Sequence, residues 1–232
     1  MAVIEVLLCA DVLTQYAIGG TLLALGFHPK LPGGQLNVWY VVALSLGDAV
    51  LLVGLILLLL YAHGERPREV LFGRRSIAAE GMLGLLLIPI TFGIAIAVML
   101  AVRRFAPSLH NVADNPLQGL LKSPRDAWLF ALVVVVAGGV REEVQRAFLL
   151  HRFDVWLGGG AVGLVVTSVA FGAGHFDLQG ADAAITTALL GACWGIVYLR
   201  RRSAVAPMVS HAGFDLLQIL QFAATRASGS GL

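Results

Sequence analysis

Long apolar runs alternate with short polar segments and divide the 232-residue chain into seven stretches, at about 3–26, 37–62, 79–102, 126–151, 155–174, 181–200 and 204–224. Each is close to the roughly 20 residues that a helix needs to cross a hydrocarbon layer. Runs such as Leu51–Leu60, LLVGLILLLL, show none of the in–out alternation of a barrel strand. Backbone groups in lipid have to be paired within their own segment. The pattern therefore predicts an all-α fold: a polytopic membrane helix bundle of about seven transmembrane helices, with a core formed by the last four. Residues 1–232 read as a single integral membrane domain, since no polar linker divides them.

The connections sharpen this picture. Residues 27–36, FHPKLPGGQL, predict a Pro/Gly turn, and the Arg-rich segment 63–78 has room for a short surface helix. The longest polar segment, 103–125, is expected to hold an amphipathic interfacial piece around Leu117–Lys122. No internal repeat is evident.

Composition agrees with a membrane location. Apolar residues make up 58% and charged residues 13%, about half the charge of a soluble domain. The net charge is +2, and the basic residues cluster at span ends: Arg66, Arg68, Arg74 and Arg75; Arg103 and Arg104; Arg200, Arg201 and Arg202. That is membrane-flanking charge, so the expected partner is the lipid bilayer and no nucleic acid. Placing 63–78 and 200–203 in the cytoplasm puts the basic segment 103–125 on the other side, which leaves orientation open. Cys9 and Cys193 lie inside apolar runs and suggest neither a disulfide framework nor a zinc site.

Ionisable groups at membrane depth are costly and mark function by default. Glu5, Asp11 and Asp48 fall in the first two helices, the two aspartates without an obvious local partner; they read as ordinary helix contacts and receive no chemistry. The later helices are richer. In REEVQRAFLL, Glu142 and Arg146 are spaced i,i+4 and are expected to pair, with Glu143 beside them. His175 follows Phe171 by four residues. In PMVSHAGFDLL, His211 and Asp215 share one helix face. Taken singly, these are a surface ion pair, a buried histidine and a chance spacing. Together on three apolar helices they favour one wet cavity that satisfies them all.

These motifs, in this order, resemble the CPBP membrane proteases, also called the Abi or type II CAAX protease family, whose core helices carry EExxxR, FxxxH and HxxxN or HxxxD. FGAGH, Phe171 to His175, matches the second motif, and HAGFD, His211 to Asp215, matches the third in its Asp form. The resemblance covers 126–224 as a CPBP-like catalytic core, with 1–102 as variable N-terminal helices. The first motif departs by one residue: EEVQR has two residues between Glu143 and Arg146 where the family has three. Anchoring on RAFLL sets Arg141 and Glu142 under the two glutamates; anchoring on EE keeps Glu142 and Glu143. Glu142 is a motif glutamate in both alignments.

The resemblance implies an intramembrane endopeptidase that needs no cofactor. Glu142 or Glu143, with His175, would activate water; His211 and Asp215 would form the oxyanion side; Arg146 and Phe171 would support them. Zinc is the mechanistic alternative, since Glu, His and Asp are acceptable ligands, although HExxH is absent. The expected partner is a membrane-associated peptide or protein. Other readings are a catalytically degenerate immunity or interaction factor, or a proton-coupled transporter, whose inverted repeat is not seen. The Ala/Gly/Val/Arg-rich composition suggests a bacterial inner membrane.

Overall fold

The computed structural model describes residues 1–112, 119–121 and 123–229. Among them the chain is helical, apart from an isolated antiparallel bridge, Lys30–Leu36, that closes the expected turn. The helices are α1 (Ala2–Leu8), α2 (Val12–Ala24), α3 (Val38–Ala62), α4 (Ile77–Phe105), α5 (Pro124–Val133), α6 (Glu143–Trp156), α7 (Gly160–Gln179), α8 (Ala181–Arg201) and α9 (Val205–Gly229). A single wide turn, Arg68–Phe72, occupies the 63–78 connection. The expected Leu117–Lys122 piece lies partly outside the described residues; within it, Leu120 and Leu121 are buried.

Five segments are long and apolar enough to cross a membrane: Ala2–Ala24, Val38–Ala62, Ile77–Phe105, Gly160–Gln179 and Ala181–Arg201. The chain is thus an integral membrane protein. The other two expected spans, 126–151 and 204–224, are not among the five: the first is divided into α5, a π-helical stretch and α6, and the second carries His211 and Asp215. Three boundaries differ from the sequence pattern. The first span is broken at Cys9–Asp11. The helix expected from 155 starts at Gly160, because Gly158 and Gly159 take φ of 94° and 96° and make a turn there. The 126–151 helix runs from Pro124 to Trp156 and is interrupted by a π-helical stretch, Val134–Glu142.

Local sequence explains where these helices start. Ser123 and Asp126 form a reciprocal capping box, with Pro124 at the first helical position. Asn37 and Ser76 cap α3 and α4 through their side chains. α6 lies at the centre: Val144, Ala147, Phe148 and Leu150 pack in one buried cluster with Leu52, Ile56 and Leu60 of α3 and Tyr198 of α8. α7 and α8 pack closely through Gly172, where a Cβ would lie 2.5 Å from the Ala184 carbonyl oxygen. An ion pair between buried Glu80 and partly exposed Arg201 joins α4 to α8 at 2.5 Å.

Candidate active site

The site grows from the π-helical stretch VVVAGGVRE. π turns are wider than α turns and recur at functional positions. Here the widening coincides with Gly138 and Gly139. A Cβ on Gly138 would stand 2.8 Å from Asp215 Oδ2, and one on Gly139 would collide with Ala212. The bare backbone therefore meets α9 directly. Beyond it, three consecutive charged residues point to three different partners.

Arg141 turns away from α9. Its Nη1 lies 3.0 Å from Asp11 Oδ2, its Nε 3.4 Å from Asp48 Oδ2 and its Nη2 3.7 Å from Glu142 Oε1. The two aspartates without an obvious local partner in sequence thus share a cation from a distant stretch, and Asp11 in addition accepts from Gln15, four residues on, at 2.6 Å. Glu5 is likewise paired, with Arg152 and His63, each at 2.6 Å.

Glu143 turns inward and is 1% exposed. It accepts hydrogen bonds from Arg146 Nη1 and, at 2.8 Å, from His211 Nδ1. The expected Glu142–Arg146 pair is therefore not formed; Glu143 takes the arginine at i,i+3. The reason is register: the π stretch ends on Glu142, and α6 begins with Glu143, so Glu143 and Arg146 share its first turn.

Glu142 faces the remaining side of His211. Its Oε2 lies 3.9 Å from His211 Nε2, and Asp215 Oδ2 lies 3.5 Å from the same nitrogen. Glu142 and Asp215 keep 18% and 25% of their side-chain exposure, in contrast to Glu143. A carboxylate at Nδ1 fixes the imidazole's orientation and leaves Nε2 facing Glu142 and Asp215.

Aromatic rings wall the site. Trp194 of α8 stacks on His211 with centroids 4.0 Å apart and donates its indole N–H to Ser210 Oγ at 3.1 Å. Phe171 meets His175 edge-on at 4.9 Å and carries the Arg146 guanidinium over its face at 4.3 Å. Such a cation–π contact stabilises a desolvated guanidinium by about 2 kcal/mol. Gly191 makes room for this: a Cβ there would sit 2.9 Å from Phe171 Cδ1.

All seven residues singled out from sequence, Glu142, Glu143, Arg146, Phe171, His175, His211 and Asp215, are thus linked through direct contacts, His175 by way of Phe171. His175 stands at the edge. Its Nδ1 donates to the Phe171 carbonyl at 2.8 Å, and no hydrogen bond joins it to Glu142 among the described residues. Glu142, His211 and Asp215 are suitable donor types for a metal, yet no three of His, Cys, Asp and Glu converge as a ligand set among the described residues. Sequence reasoning missed Trp194 and Arg141. The small residues around Trp194 in GACWG, and two unpaired aspartates awaiting a cation, were the available signals.

Residues 124–217 match the family described as type II CAAX prenyl endopeptidase, Rce1-like. That segment holds all three motifs and is similar to the family that the CPBP resemblance implies. No curated protein and no solved structure matches the chain.

Proposed function

We propose that this chain, Rce1-like over the segment that builds its site, is an intramembrane endopeptidase that hydrolyses a peptide bond in a membrane-associated peptide or protein. The family supports a CAAX-type membrane protease. The observation that carries the finer reading is the convergence of Glu142 and Asp215 on His211 Nε2, with Glu143 behind Nδ1.

In this reading Glu142 takes the proton from a water bound beside it, assisted by His175. The hydroxide attacks the substrate carbonyl. His211, charged and held between Glu143 and Asp215, donates from Nε2 to the developing oxyanion, a role that preorganised donors fill at low reorganisation cost. Glu142 then delivers its proton to the leaving amine, so that one carboxyl group serves as base and acid in turn. Arg146 and Phe171 hold Glu143, and Trp194 holds the imidazole plane. The scheme needs no metal or cofactor. The composition favours a bacterial inner membrane as its setting.

The test is cleavage by the full chain in nanodiscs. The substrates are a farnesylated fluorogenic CaaX peptide, its unprenylated counterpart and a panel of tagged transmembrane peptides. Glu142→Gln and His175→Ala should each lower turnover, the first by about 100- to 10,000-fold as expected for loss of a general base. Equal processing by wild type and both variants would remove the protease reading. Stoichiometric zinc in active preparations would replace the glutamate–water scheme with a metal one.

A further inference from the structure

The N-terminal helices lie outside the matched segment 124–217, yet they reach the site. The first span breaks at Cys9–Asp11. Irregular backbone at membrane depth is tolerated only where protein or a wet cavity satisfies it. Here the Cys9 carbonyl accepts from Gln145 of α6 at 2.7 Å. Asp11 adopts φ 75°, ψ −33°, a strained region for a residue with a side chain. Its Oδ2 meets Gln15 at 2.6 Å and Arg141 at 3.0 Å.

Arg141 is 7% exposed and stands among three carboxylates, and Asp48, at 1%, is more buried still. The distances are graded. Asp11 and Asp48 stand nearest the guanidinium, and Glu142 is the farthest at 3.7 Å. Glu143, by comparison, is locked onto Arg146. We infer that Asp11 and Asp48 are positioning residues for Glu142: by holding Arg141 on their own side, they keep it from capturing Glu142 in a tight bidentate pair, and so leave that carboxylate turned toward His211. This inference rests on the reading of Glu142 as the working carboxylate. It assigns a task to the broken first helix, which the matched segment does not contain.

The test reads Glu142 directly. Full-length protein in nanodiscs is treated with dicyclohexylcarbodiimide, which modifies neutral carboxylic acids in apolar settings, and labelling at Glu142 is mapped by mass spectrometry against Glu143 as internal reference. In Asp11→Asn/Asp48→Asn the freed guanidinium closes on Glu142, and its labelling should fall roughly tenfold, the usual weight of one close opposite charge on a carboxyl group. In Arg141→Gln it should rise by a similar factor, with Arg141→Lys between wild type and Gln. On a cleavable peptide, the double variant should lose kcat at unchanged KM. Labelling of Glu142 at the wild-type level in the folded variants would overturn the inference. If the double variant does not fold, Asp48→Asn alone and the Arg141 series decide the matter in the same way. Changed labelling with no cleavage of any peptide by wild type would sink the protease reading and leave the clamp standing.

Discussion

His211 Nδ1 lies 2.8 Å from Glu143 Oε1, while Glu142 stands 3.9 Å from the other ring nitrogen. The two adjacent glutamates are therefore unlike in kind. Glu143 is a buried counter-ion shared by a histidine and an arginine; Glu142 is the partly exposed carboxylate on the Nε2 side.

Stability should separate them. Glu143→Gln leaves the Arg146 charge buried without compensation, and breaking a buried pair in this way costs about 3–5 kcal/mol. Glu142→Gln removes one of several carboxylates around Arg141 and should cost at most about 1 kcal/mol. Heating both variants in micelles checks this: Glu143→Gln should unfold well below wild type, Glu142→Gln close to it. Similar losses in both would remove the distinction.

Phe171 carries the Arg146 guanidinium on its ring and meets His175 edge-on. Phe171→Leu keeps an apolar side chain but gives up the cation–π contact, at a cost of about 1–2 kcal/mol. Turnover should fall as Arg146 and Glu143 loosen behind His211. Phe171→Tyr retains the ring face and should stay near wild type in thermal unfolding.

Acid should weaken the membrane-edge network of His63, Glu65, His151 and Arg152. Glu65 accepts from His151 at 2.6 Å and from Arg152 at 2.5 Å. Partial burial opposes its ionisation, but these two hydrogen bonds and the charges behind them outweigh that and hold its carboxyl below the ordinary range. A carboxylate with a depressed folded pKa contributes stability that is complete above its unfolded value, near 4.5, and is lost as pH falls through the folded one. Thermal unfolding should therefore show stability declining below that pH in wild type, with a shallower decline in Glu65→Gln. Parallel profiles would refute the assignment.

The sequence patterns that held are those confined to one helix. His211 and Asp215 share a face of α9 because i,i+4 residues do so in any regular helix. Phe171 and His175 meet on α7 for the same reason. What the sequence hid depends on other helices. The pairing of Arg146 with Glu143 instead of Glu142 follows from the π stretch 134–142, and that stretch lies where Gly138 and Gly139 meet α9. The break at Cys9–Asp11 is satisfied by Gln145 and Arg141, more than 125 positions along the chain. Periodicity reports a helix's own faces; it carries no record of a partner that arrives through tertiary packing.

Two glycines, Gly139 before the first motif and Gly174 within the second, should respond oppositely to one added methyl group. At Gly139 a Cβ would run into Ala212 of α9, where backbone and side chain leave no room. Overpacking of this kind costs about 1–3 kcal/mol, and the relief available is to push the π stretch away from α9. That movement lengthens the already loose Glu142–His211 approach, so Gly139→Ala should lose both stability and turnover. At Gly174, one residue before His175, nothing lies within 4 Å of the added carbon. Alanine there only reduces the freedom of the unfolded chain and should raise stability by about 0.5–1 kcal/mol. Thermal unfolding and peptide cleavage on the two variants, side by side, test whether the close contact of π stretch and α9 sets the geometry of the site. A Gly139→Ala protein as stable and active as Gly174→Ala would show that it does not.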